Sequence, residues 1–350
     1  MKYYFKEEFL HDVNAKNAGN KARNDVESIV KEEGYHPLVL SVDNWYQMST
    51  LAAQRHKAKA FGQALDQLKQ GDELLIQFPM LHHSFFSTHL VKKAQKRGIK
   101  VYLLIHDLEV LRHANMTSLP LKHRIRMYLQ EASFLKTADG IIAHNPVMKS
   151  VLVDKGIAEY KIVSLGIFDY MIPDYQEKDG LSKDQPIIVA GNLAQEKAGY
   201  LYALPAGPAY NLYGVGFDES RALENETYFG SFLPDELPAA LEGGFGLVWD
   251  GDSAETCNGV FGEYLRYNNS HKASLYLASG FPLVVWKQSA LSHFVLEKGC
   301  GIAVELLHDL KETIDNLSDA DYQDLVDNAK RVGQEIRDGH YLKTALNHLS

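Results

Sequence analysis

Short apolar runs alternate with amphipathic stretches along almost the whole chain, and this alternation limits the possible folds most. In the first half, "KYYF" (2–5), "PLVLSV" (37–42), "ELLIQF" (73–78), "KVYLLI" (100–105) and "GIIAH" (140–144) are short, rich in Val, Ile, Leu, Tyr and Phe, and bounded by Gly, Pro or Asp. Those features predict strands. Helical spacing fills 20–33, 50–69, 84–97 and 119–137, as in Leu51, Ala58, Phe61, Leu65 and Leu68. Strands alternating with helices imply a parallel sheet covered on both faces.

The polar, aperiodic stretch "IPDYQEKDGLSKDQP" (172–186) interrupts the pattern and has the composition of an interdomain linker. Strand-like runs then resume at 187–191, 210–215, 245–249, 282–286 and 301–305. Helical patterns occupy 234–241, 271–279, 289–298, 306–316 and 319–349. The 350 residues are long for one core and suit two domains. The expected organisation is α/β: a Rossmann-like domain over 1–172, a second over 187–318, and helices over 319–350 that could cross back to the first. Open parallel sheets bind ligands at the C-terminal ends of their strands. The chemistry is therefore expected in loops that follow strands, facing a cleft between the domains.

Composition excludes several classes. The net charge is −9, against the basic balance of a general nucleic-acid binder. Cys257 and Cys300 form neither a disulfide framework nor a zinc spacing, and suit small core residues. No signal peptide is evident, and no apolar run approaches the roughly 20 residues of a membrane helix. A cytoplasmic protein is expected. No G-x-G-x-x-G follows the first strand, which argues against an NAD-dependent dehydrogenase.

The segment "YNNSHKASLYLASGFPLVVW" (267–286) carries the clearest site. Ser270 suits an N-cap, His271–Ser279 a helix, Gly280 its end, and Pro282 the entry to a buried strand. Lys272 then falls in the first helical turn, where a cation opposes the helix dipole unless an anion is present. Free backbone N–H groups plus Lys272 would make a phosphate site; a solvated lysine on an ordinary helix is the alternative.

Here the chain resembles a family. "HKASLYLASGFPLVV" resembles the nucleotide-sugar segment of GT-B glycosyltransferases. Together with "GGFGLVW" (243–249), "AGNL" (190–193) and "LLIHDLEVLR" (103–112), it resembles the glucosyltransferase 3-like family over nearly its full length. Around the lysine the family more commonly reads Tyr–Lys–Leu–Gly, where this chain reads His–Lys–Ala–Ser. The resemblance implies a two-domain GT-B enzyme that moves a hexose, glucose first among the choices, from a UDP-sugar. The implied acceptor is an N-acetylglucosamine-modified serine-rich-repeat protein. Galactofuranose or N-acetylglucosamine transfer to a cell-surface glycan is a second option, and a non-catalytic GT-B-like partner protein a third. The family also implies oligomerisation and no cofactor beyond the donor. By the same resemblance Lys272 contacts the donor diphosphate, Asn268 and His271 flank it, and Tyr213 could stack on uracil or else be a core residue.

Other residues add to this. Gly191 ends the first strand of the second domain and permits close backbone approach, while Asn192 can bond sugar or phosphate oxygens. His106 and Asp107 follow the fourth strand, where either could accept a proton from a sugar hydroxyl; Asp107, ionised at neutral pH, is preferred, unless it caps the next helix. His82 and His83 lack a third ligand with metal spacing and are expected to be solvated or to line the cleft. Asp250-Gly251-Asp252 copies the Asp-x-Asp metal motif of GT-A glycosyltransferases, but is also ordinary turn chemistry. Metal independence is expected. Finally, the polar loop at 14–20, with Asn17, Gly19 and Asn20, is expected to close over bound sugar and phosphate, bringing Lys16, Lys21 or Arg23 with it.

Overall fold

The computed structural model describes residues 1–8, 18–41, 47–113 and 131–349. They form two compact units. One comprises Met1–Asn14, Val26–Leu165 and Leu342–Ser350; the other comprises Ala15–Asp25 and Gly166–Tyr341.

The first unit holds six parallel strands: β1 (Lys2–Glu8), β2 (His36–Ser41), β3 (Glu73–Phe78), β4 (Lys100–Ile105), β5 (Gly140–Ala143) and β6 (Ile162–Ser164), in the order β2-β1-β3-β4-β5-β6. The second repeats the plan with β7 (Ile187–Asn192), β8 (Tyr210–Val215), β9 (Glu226–Tyr228), β10 (Phe245–Val248), β11 (Leu283–Trp286) and β12 (Gly301–Val304), ordered β12-β11-β10-β7-β8-β9. The central strands are buried along nearly their whole length, as their continuous apolar runs require. Chain direction across each sheet reverses once, between β1 and β3 and between β7 and β10. Such switch points open a crevice at the C-terminal ends of the two strands.

All ten predicted strands are present. β6 and β9 were not expected, because three residues are too few to show a period. The helix Pro146–Asp154 was also missed, although its start is signalled: Asn145 accepts a hydrogen bond from the Met148 N–H at 2.9 Å, and Pro146 takes the first helical position. On the helix Thr50–Leu65 the buried stripe runs through Ala53, Lys57, Phe61, Ala64 and Leu65, whereas Leu51 is exposed. Of the helix expected at 119–137, residues 131–137 are helical and the rest lies outside the described residues. The predicted helix at 319–349 is two, Asp319–Arg337 and His340–Leu349, parted at Gly339 with φ +70°. Residues 172–186 contain no helix or strand.

One close approach in the second unit sets up the site. The helix His271–Ala278 lies over β10 at Gly246, where a Cβ would stand 2.2 Å from the Tyr276 ring. The Tyr276 hydroxyl accepts the Ala190 N–H of β7 at 2.6 Å. A glycine and a tyrosine thus fix this helix across β7 and β10, with its first turn at the strand ends.

Candidate active site

At the switch point of the second sheet, β7 ends in Gly191 and Asn192, and β10 leads into Trp249 and Asp250. Gly191 has φ +125°, a backbone that L side chains rarely adopt. A Cβ there would lie 3.6 Å from Lys272 Cε, so the lysine passes directly over the glycine. Lys272 Nζ forms an ion pair with Asp250 Oδ1 at 2.7 Å and donates to the Trp249 carbonyl at 3.1 Å. Both charged side chains are buried, 9% and 7% exposed. Ser270 caps the helix as expected, accepting from the Lys272 N–H. Lys272 is therefore a buried, paired cation in the first turn of a helix at a ligand crevice, not a solvated lysine.

The flanking residues divide. The His271 ring stacks on Phe168, with centroids 4.7 Å apart. Asn268 Oδ1 is buried without a hydrogen-bond partner among the described residues. Asn269, which the sequence did not single out, ties the segment down by donating to the Gly166 carbonyl at 2.7 Å. Asn192 is exposed and accepts the Ala194 N–H at 3.0 Å, which shapes the turn after β7. Tyr213 requires a correction: it is fully buried, stacked on Phe229 at 4.9 Å, and its hydroxyl accepts the Glu242 N–H. No base can reach a ring packed in that way, so Tyr213 belongs to the core.

Asp250-Gly251-Asp252 is a turn with its carboxylates engaged. Asp250 holds Lys272, and Asp252 Oδ1 accepts from Asn258 Nδ2 at 2.7 Å while its N–H donates to Asn258 Oδ1 at 2.9 Å. Sequence reasoning missed Asp250 as the lysine's partner because the two are 22 residues apart and on different elements. The turn signal itself was readable. Cys257 and Cys300 are both free and buried, as expected.

In the first unit, His106 Nε2 meets Gln77 Oε1 at 2.7 Å, and Asp107 pairs with Arg112 at 2.6 Å. Asp107 does not cap the following helix, Glu109–Arg112. The Glu131 carboxylate does so instead, accepting the N–H groups of Glu109 and Val110, each at 2.9 Å, and burial pushes its pKa up to about 7. Asp107 remains 40% exposed at the end of β4. His82 is not solvated: it is 2% exposed and its ring pairs with Glu7 at 3.0 Å. His83 Nδ1 is buried without a partner among the described residues, and burial holds that ring down to about 4.

Of the loop expected at 14–20, residues 14–17, Lys16 and Asn17 among them, lie outside the described residues, and the rest is helical: Gly19 and Asn20 belong to the helix Ala18–Glu32. Lys21 is buried and committed to Asp25 at 2.8 Å, Asp235 at 2.9 Å and the Met171 carbonyl at 2.7 Å, and so is not a spare cation for a ligand.

Residues 2–167 match the N-terminal domain of the glucosyltransferase 3-like family, and residues 187–349 match its C-terminal domain. The chain is 32% identical over 354 residues to the β-1,6-galactofuranosyltransferase WbbI of Escherichia coli K12, covering 97% of each protein. Among solved structures it is similar to a sucrose-phosphate synthase from Thermosynechococcus elongatus (TM-score 0.64, 12% identity, 99% and 98% of the two chains). It is also similar to HepE of Anabaena, solved with UDP and glucose (TM-score 0.56, 12% identity, 100% and 99%). At such identities these likenesses establish the scaffold, two parallel-sheet units of GT-B architecture. The chain belongs to the glucosyltransferase 3-like family of glycosyltransferases and is a hexosyltransferase on a GT-B scaffold.

Proposed function

We propose that the protein transfers a hexose, glucose by preference, from a UDP-sugar to a sugar already attached to a protein, such as an N-acetylglucosamine-modified serine-rich-repeat chain. The observation that carries this reading is Lys272, a buried cation in the first turn of a helix at the switch point of the second sheet. Transfer forms a bond from an acceptor hydroxyl oxygen to the anomeric carbon and breaks the bond from that carbon to the diphosphate oxygen. Negative charge grows on the departing diphosphate. Lys272 supplies a charge-assisted hydrogen bond of about 1.5–3 kcal/mol to that charge. Asp107, partly exposed at the end of β4, is the candidate to take the acceptor proton. No divalent metal is needed in this reading, because the lysine fills that role.

The galactofuranose relative favours a second donor, UDP-galactofuranose, at the same site. A donor screen with UDP release as the readout separates them. UDP-glucose turning over fastest supports the first reading, and UDP-galactofuranose turning over fastest replaces it. Release with neither donor overturns both readings of the donor sugar. No helix among the described residues is long and apolar enough to cross a membrane. The proposed setting is the cytoplasm, where UDP-sugars are available, with the chain as a homo-oligomer. Light scattering on the purified protein tests the oligomeric state.

A further inference from the structure

The ammonium of Lys272 carries three N–H donors. Two are taken, one by Asp250 Oδ1 and one by the Trp249 carbonyl, from adjacent residues after β10. Among the described residues one donor is left, on a side chain that lies across Gly191. The turn that supplies both acceptors is itself tightly built. Gly251 has φ +119°, and a Cβ there would stand 2.4 Å from Asn258 Oδ1. Its N–H donates to the Lys197 carbonyl at 2.8 Å, and its carbonyl accepts from Tyr200 N–H at 3.1 Å. Asn258 clamps Asp252 from both sides. Tyr200, Tyr276 and Cys257 also feel the Asp250 charge. Burial pushes all three up, so they are neutral and do not compete for the ammonium.

We propose that Asp250 is a positioning residue for donor turnover: with the Trp249 carbonyl it fixes the Lys272 ammonium over Gly191, so that the remaining N–H is aimed and ready for the oxygens of the departing diphosphate. This rests on the reading of Lys272 as the donor-site cation. The physical reason is pre-organisation. A long flexible lysine must otherwise be ordered as the charge develops, whereas a lysine already held in place stabilises that charge without reorganising. The acidic turn of the sequence is then a socket for an internal cation.

The test uses the full-length enzyme and three variants: Asp250→Ala, Asp250→Asn and Lys272→Met. For each, kcat and donor KM are measured, with UDP affinity by calorimetry and the melting temperature. Asp250→Asn keeps the size and one acceptor oxygen, so it should still hold the lysine. Expected is a loss of kcat of at least tenfold in Asp250→Ala with donor KM changed less than threefold, recovered to within threefold of wild type in Asp250→Asn. If both Asp250 variants keep wild-type kcat and only melt earlier, Asp250 is structural and the proposal falls. It also falls if both bind UDP more tightly and turn over faster, since Asp250 would then compete with the diphosphate. Lys272→Met with wild-type turnover would instead remove the donor reading itself, and the role of Asp250 with it. An inactive Lys272→Met beside unaffected Asp250 variants would overturn only the positioning role.

Discussion

The two sheets have the same topological reversal, yet their switch points are equipped in opposite ways. After β1 and β3, Glu7 is an internal anion that takes up the local donors: the N–H groups of Leu81 and His82 at 2.9 and 2.7 Å, and the His82 ring. After β7 and β10, the internal group is a cation, Lys272, which among the described residues has a donor to spare. At the first switch point an internal carboxylate satisfies the Leu81 and His82 amides; at the second the helix N-terminus is capped by Ser270, and it is the ammonium that can serve something from outside. Topology gives each sheet a place to bind, and the sign of the buried charge decides what can bind there. The first edge also holds two histidines that burial keeps neutral, His83 at about 4 and His144 at about 3.

That contrast is first exposed by acid. The His83 ring loses affinity for protons on folding, because burial disfavours its charged form; Glu7 nearby works weakly in the other direction and Lys57 with the burial. Between pH 6.5 and about 4 the unfolded chain therefore binds more protons at this position than the folded one. Stability from His83 is fully present above pH 6.5 and is lost as pH falls toward 4, by on the order of 3 kcal/mol. Glu131, raised to about 7, acts with the opposite sign in the same unit, so the difference between proteins is the quantity to read. His83→Gln should gain that amount relative to wild type between pH 6.5 and 4 in urea unfolding. A constant difference across that range would show that His83 is not a buried neutral ring.

Lys272→Ala should lose turnover about a hundredfold, on the order of 2.7 kcal/mol, with wild-type acceptor binding. Near-normal kcat with a lower melting temperature would make Lys272 a packing residue and the two switch points equivalent.

The parts of this enzyme that were legible in its sequence are those set by short-range rules. The buried strands announce themselves as unbroken apolar runs, and Ser270, Lys272 and Gly280 mark a helix from cap to end within eleven residues. The pairings were not legible. Asp250 and Lys272 meet because Gly246 lets one helix close on β10, a contact made by the absence of a side chain. Tyr213 at a strand end looked available, but whether its ring faces ligand or core depends on Phe229, sixteen residues away on the next strand edge. Asp107 was preferred as a proton acceptor with a helix cap as the alternative, and the cap is Glu131. The polar 14–20 stretch looked like a loop because Asn, Gly and Lys signal one locally, yet Gly19 and Asn20 are already in a helix that Lys21 anchors through Asp25 and Asp235.

Asp107→Asn sharpens the comparison from the side of the first unit. Its pair with Arg112 is partly exposed, so the stability at stake is at most about 1 kcal/mol. Transfer should fall at least tenfold, about 1.4 kcal/mol, while UDP affinity by calorimetry stays unchanged. Unchanged transfer with a slightly lower melting temperature would leave Asp107 as an ion-pair partner only.

The smallest expected effect is that of metal removal, and it tests whether an internal cation truly occupies the second switch point. The Asp-x-Asp turn has the residues of a metal site but not free carboxylates. Asp250 is in contact with Lys272 Nζ at 2.7 Å, and Asp252 is bonded to Asn258. A divalent ion binding to this turn would first have to expel the ammonium, and would then leave that charge buried beside its own. Removing one partner of a buried ion pair costs about 3–5 kcal/mol, so the exchange is uphill unless the ion finds further ligands. Among the described residues, no group of three or more His, Cys, Asp or Glu stands together to provide them. EDTA should therefore leave transfer within twofold, manganese should not stimulate it, and Asp252→Ala should stay within threefold. If EDTA abolishes activity, manganese restores it and Asp252→Ala is equally inactive, then the lysine yields its socket to a metal during turnover, and the second switch point works by an imported charge.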